Sequence, residues 1–249
     1  MNQSREPILN VPAAIVALLV VLGLVHAVRE LVLSPATDRM LLLTFAFIPA
    51  RYEPSVLLGG VLPGGIGAQV WTFFTYALIH ADLTHLGFNA VWLLAFGSPV
   101  ARRFGAIRLL ALFAVTSAAG ALVHLLMHPG ERVVMVGASA AISGMMGAAT
   151  RFAFQRGGSL DFLHSHDRDP DRIPAAPLWV ALRNPRVVAF LAVWFGLNLL
   201  FGVGSISILG EDQNVAWEAH VGGFLAGLLL FSLFDPVRAP RNIEHERLH

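Results

Sequence analysis

The sequence predicts an all-α polytopic membrane protein, a bundle of six transmembrane helices with a long interfacial loop between the first two. Three observations carry this. Of the 249 residues, 56% are hydrophobic and only 13% are charged, against roughly 25% charged in soluble domains. Mean hydropathy is +0.67. Apolar runs approaching the about 20 residues that cross the hydrocarbon layer recur between Arg, Pro and Gly punctuation. A formal net charge of +1 provides no cationic cluster for phosphate, so no nucleic-acid partner is expected. The absence of cysteine excludes disulfides, thiolate metal sites and thiol nucleophiles.

The first span runs from Val11 to Leu33; it is too long for a signal peptide and has no small-residue cleavage site. The second covers Leu86–Val100, and Arg102, Arg103 and Arg108 separate its core from the third, Ala106–Met127. A glycine turn opens the fourth, Ser139–Phe154, which like the second is short for a span. The fifth is Val187–Val203 and the sixth Val215–Phe234. Residues 34–85 form an apolar connection, read as short helices in the outer interface with a Gly-rich turn at Gly59–Gly67. Such a long loop is costly unless it has a function. Residues 157–177 are polar and Pro-rich, read as a mobile cytoplasmic linker. The domain division is therefore an N-terminus over 1–10, a membrane domain over 11–235 and a C-terminal tail over 236–249.

Cytoplasmic loops collect positive charge. All 17 cationic residues are arginines, and 13 of them fall in the N-terminus, the 2–3 loop, the 4–5 segment and the C-tail. The bias places both termini in the cytoplasm. An untargeted N-terminus and lysine-free composition point to a bacterial inner membrane. No internal repeat or pair of broken helices is evident, which counts against a transporter.

Polar residues at hydrocarbon depth are costly and need a reason. Ser139 opens the fourth span after the turn at Gly137, where a helix N-terminus offers unpaired N–H groups suited to an oxyanion. The competing reading is a serine cap in a close helix contact. His220 stands a turn into the sixth span, beside the close-approach face formed by Gly223 and Gly227. His85 and Asn89, four apart, share a face near the outer end of the second span, and both can donate to an oxyanion. His80 and His85 are wrongly spaced for two ligands on one helical face, and His80 is read as a loop-bracing hydrogen bonder. His124 and His128 have a spacing able to hold zinc but lack an intervening Glu, so they are read as a structural interfacial pair. No metal and no cofactor is expected. His26 and Asn198 are read as interhelical hydrogen bonders.

These residues together resemble the rhomboid intramembrane serine proteases. The resemblance rests on His80-x4-His85-x3-Asn89, on Gly137-x-Ser139 and on Ala219-His220-x-Gly222-Gly223-x3-Gly227, in the family's order, and spans residues 12–235. It implies Ser139 as nucleophile and His220 as general base in a Ser–His dyad, without a carboxylate. The implied oxyanion hole is the Ser139 N–H with the side chains of Asn89 and His85. Two positions depart from the family pattern: Ala140 stands where a glycine usually follows the serine, and Ser143 where an aromatic commonly packs on the histidine. Ser143 therefore stays a rival nucleophile. The implied activity is that of a serine endopeptidase cutting membrane-protein segments near the outer face, with lipid as the second partner and no motif that sets an oligomeric state. The alternative is a non-proteolytic protein that binds client helices in the same small-residue grooves.

Overall fold

The computed structural model describes residues 11–57, 60–161, 169–203 and 216–237. Among them the regular structure is helical, apart from one antiparallel bridge between Phe47 and Met135. Helix α1, Ala13–Leu31, buries Ile15, Leu18, Leu22, His26 and Arg29. This i, i+3, i+4 stripe packs inward while Val16, Val20, Leu24 and Leu31 face outward. A helix apolar on all sides with one packed face belongs in lipid. His26 is expected to bond between helices, but neither ring nitrogen has a hydrogen-bond partner.

The long first connection has the expected short helices. α2 spans Pro35–Phe45, capped by Ser34 Oγ accepting from the Thr37 N–H, and α3 spans Gly65–Thr75. Arg29 holds this loop to α1. Its guanidinium pairs with both carboxylate oxygens of Asp38 at 2.7 and 3.0 Å and donates to the His80 carbonyl at 2.6 Å. Arg51, buried, donates to the carbonyls of Pro63 and Leu43.

α4, Leu83–Trp92, begins at an Asp82 cap and continues through a π-helical stretch, Leu93–Gly97, into α5, Ser98–Phe104. The second apolar run thus lies in unbroken helix from Leu83 to Phe104 and is longer than the apolar pattern alone indicates. α6 is Ala106–Met127, the extent expected. α7, Ser139–Ala149, is shorter than the expected run to Phe154. Every residue from Ala140 to Ala149 is buried. Wrapped by protein, α7 need not cross the bilayer on its own length, because irregular backbone is tolerated at depth where protein surrounds it. A four-residue turn, α8 (Leu178–Ala181), leads to α9, Pro185–Val203, and α10 is Trp217–Phe234.

α6, α7 and α10 form the core. A Cβ built on Gly223 would lie 2.0 Å from the Ala140 carbonyl oxygen, and one on Gly227 1.8 Å from that of Gly144. The backbones of α7 and α10 touch there, which only glycine allows.

The end of the bundle opposite Ser139 is closed by buried charge. Arg103 makes a bidentate pair with Asp235 at 2.9 and 2.8 Å, donates to the carbonyls of Asp171 and Ile173, and lies over the Phe152 ring. Arg102 pairs with Asp171, and Arg186 with the fully buried Asp161. The described parts of 157–177 are therefore tied down at two points rather than mobile throughout, because Asp161 and Asp171, which look like solvated linker charges, are buried counter-charges. Residues 162–168, with His164 and His166, the N-terminus over 1–10, Gly59, and the tail beyond 237 with Arg238, Arg241 and Arg247 lie outside the described residues.

Candidate active site

The turn into α7 is built from both sides. Gly137 takes φ +119°, and a Cβ there would lie 2.6 Å from His85 Nε2. The position requires glycine on both counts. Its N–H donates to the Tyr76 carbonyl at 3.0 Å, and the Ala138 N–H to His80 Nε2 at 3.5 Å. The first connection thus grips the residues just ahead of Ser139, and His80 takes the bracing role expected of it. The first α-helical bond of α7 runs from Ile142 N–H to the Ala138 carbonyl, so the N–H groups of Ser139, Ala140 and Ala141 have no partner within the helix.

Burial pushes the imidazole of His80, in the loop ahead of α4, down to about 3, with His85, His26 and Arg29 adding to the effect. An unfolded histidine takes its proton near pH 6.5, whereas the folded one stays neutral until about 3. Between these values the unfolded state binds a proton that the folded state excludes, so stability falls as the pH drops from about 6.5. Thermal unfolding in detergent is expected at a lower midpoint at about pH 5 than at about pH 7, with a shallower dependence in His80→Gln. An equal dependence in the variant would remove His80 as its source.

Ser139 Oγ lies 2.7 Å from His220 Nε2. On its other side His220 Nδ1 lies 2.6 Å from Asn198 Oδ1 on α9. The Asn198 amide is fixed because its Nδ2 donates to the Trp194 carbonyl at 2.8 Å. An amide oxygen only accepts, so Nδ1 carries the ring proton and Nε2 presents its lone pair to the Ser139 hydroxyl. In this arrangement a serine proton can pass to a base as the oxygen attacks a carbonyl. Ser139 and His220 are both half-buried, whereas Ser143, one turn deeper on α7, is buried. His85 and Asn89 stand on the neighbouring α4. Asn89 Nδ2 uses one N–H on the His85 carbonyl at 2.9 Å, leaving its second N–H for another acceptor.

Residues 67–235 match the rhomboid domain. The chain belongs to the rhomboid family. It is 29% identical over 164 residues to the rhomboid protease GlpG of Pectobacterium atrosepticum, covering 65% of this chain and 48% of that protein. It is 30% identical over 162 residues to the rhomboid protease GlpG of Haemophilus influenzae, covering 65% and 68%. With the rhomboid-like protease 3 of Toxoplasma gondii the identity is 32% over 189 residues, covering 74% and 61%. The chain thus spans about half the length of the first of these relatives.

Both departures from the rhomboid pattern find an account in the packing. The Ala140 methyl faces Gly120 of α6, where an added Cβ would lie 2.6 Å from it; a glycine on α6 makes room for the methyl that α7 gained. At Ser143 the chain lacks an aromatic to pack against the histidine, and here the imidazole is oriented from α9 by Asn198 instead. Asn198 takes the interhelical hydrogen-bonding role expected of it, with His220 of α10 as the partner that the sequence does not name. Nothing in the local sequence links it to a histidine 22 residues on.

Proposed function

We propose that this rhomboid is an intramembrane serine endopeptidase. The observation that carries the proposal is the 2.7 Å contact between Ser139 Oγ and a His220 Nε2 whose other nitrogen is held by Asn198. In this reading Ser139 Oγ attacks the scissile carbonyl carbon while its proton moves to His220 Nε2. The tetrahedral oxyanion is met by the Ser139 N–H, the free Asn89 N–H and His85. His220 then returns the proton to the leaving amine, leaving an acyl-ester on Ser139. A water molecule, deprotonated by the same imidazole, hydrolyses that ester. The contact with His220 favours Ser139 over Ser143 as nucleophile.

The membrane domain is proposed to extend over 11–235 with six spans, both termini cytoplasmic and the Ser139 end outward, in a bacterial inner membrane. Among the described residues three helices, Ala13–Leu31, Ala106–Met127 and Trp217–Phe234, are long and apolar enough to cross by themselves. Substrates are membrane proteins, single-span or polytopic. A helix in lipid hides its carbonyls within its own hydrogen bonds, so cleavable segments carry Gly, Pro or polar residues near the outer end. The test is release of the ectodomain of such a single-span substrate by the purified full chain. Capture of the substrate without cleavage would favour the helix-binding alternative.

Asn198 is proposed as a positioning residue acting through His220. Asn198→Leu is expected to lower kcat by about a hundredfold, the cost of a small misplacement of a reacting group, with KM little changed. Asn198→Asp keeps an acceptor in place and is expected to recover most of the rate. A matched rise in KM, or no recovery in the aspartate variant, would reduce Asn198 to helix packing.

A further inference from the structure

At the Ser139 end of the bundle three metal-ligating side chains converge that the dyad does not use. His124 and His128 stand one turn apart at the end of α6, and Glu218 stands on α10, two residues ahead of His220. His124 Nδ1 lies 2.6 Å from Glu218 Oε1 and His128 Nε2 lies 3.3 Å from the same oxygen. One ligand atom from each of the three residues lies within 4.8 Å of the others.

Hydrogen bonding alone accounts poorly for the cluster. His128 Nδ1 is 3.0 Å from Glu131 Oε2. A carboxylate only accepts, so that contact puts the neutral ring's proton on Nδ1 and its lone pair on Nε2. That lone pair then faces the Glu218 carboxylate, an arrangement of two acceptors that either a metal ion or a second ring proton must bridge. His124 Nε2 is buried without a partner, so this imidazole is also incompletely satisfied. A carboxylate holding the far nitrogen of a histidine whose near nitrogen points at a centre is the second-shell pattern of metal sites. The sequence spacing shows no carboxylate between His124 and His128, and the tertiary fold brings one in from α10.

We propose that His124, His128 and Glu218 form a zinc site that ties the ends of α6 and α10 together beside His220. Two imidazoles and one carboxylate suit zinc, with a fourth position open to water. Tetrahedral bonds of about 2.0–2.1 Å set the ligand atoms about 3.3 Å apart. Occupancy therefore draws the outermost pair inward and spreads the His124–Glu218 contact. His128 is half-buried and Glu218 buried, so the site opens along the His128 side.

The test is titration of the chelator-stripped full chain in detergent with Zn2+ alone, read by calorimetry and by metal analysis after gel filtration. One zinc per chain is expected, with a rise in unfolding temperature, and Co2+ in its place is expected to give a tetrahedral visible spectrum. His128→Ala, at a half-buried position that the fold tolerates, and Glu218→Gln are expected to abolish both effects. Glu131→Gln, which touches no metal, is expected to weaken binding by about 10–100-fold. Zinc bound equally by wild type and by His128→Ala, or no stoichiometric binding to the wild type, overturns the proposal. The second outcome would leave a proton as the cation between His128 and Glu218.

Discussion

Ser139→Ala is expected to lower peptide-bond cleavage by about 10⁴-fold or more, the scale seen when a hydroxyl nucleophile is removed from a base-assisted site. Its folding should be intact, because the Ser139 side chain is half-buried and its hydrogen bond is made to the half-buried His220 rather than to the core. Ser143→Ala provides the contrast. Ser143 is buried one turn deeper, so its loss is expected to change stability modestly and leave most of the rate. Cleavage of one single-span substrate by wild type, both single variants and His220→Ala measures this directly. His220→Ala should match Ser139→Ala and the double variant should be no worse than either, since the two groups act as a unit. A Ser139→Ala protein that still cleaves, alongside a dead Ser143→Ala, would move the nucleophile to Ser143.

A single methyl at Gly227 is expected to have the largest effect on the fold. Its Cβ would lie 1.8 Å from the Gly144 carbonyl oxygen and 2.5 Å from the carbonyl carbon. Neither atom can swing aside as a side-chain end can, so α10 must move off α7. Overpacking a core typically costs about 1–3 kcal/mol, and Gly227→Ala is expected to exceed that range because backbone meets backbone. The same displacement carries His220 away from Ser139, so activity should fall with stability. Gly196→Ala on α9 is the matched control, since a Cβ there meets nothing within 4 Å. It is expected to be neutral or slightly stabilising, as alanine is favoured over glycine in a helix by about 1 kcal/mol. Thermal unfolding of both variants in one detergent checks the pair. Equal midpoints would mean that α7 and α10 do not touch as described.

Much of the candidate site is legible in the sequence because each part has a local signature. Ser139 follows a glycine turn, His220 adjoins a glycine face, and His85 and Asn89 lie four apart. The parts that escaped are those set by a second helix. Asn198 reads as an interhelical hydrogen bonder, but which group it meets is open until α9 brings it to His220. Gly120 carries no local signature, and its role appears only when α7 sets Ala140 against it. Asp161 and Asp171 read as linker charges, yet they are buried against Arg186 and Arg102.

By itself, the sequence determined that this chain crosses a membrane and in what order its apolar helices come, since hydropathy and helix starts are local properties, while its resemblance to the rhomboids nominated Ser139 and His220 and left Ser143 as a rival. Only the tertiary structure decided what holds the imidazole in its working tautomer, how an extra methyl fits beside the serine, and which carboxylate meets His124 and His128. Each of these is a distance of a few ångströms between helices far apart in the chain, which no local pattern encodes.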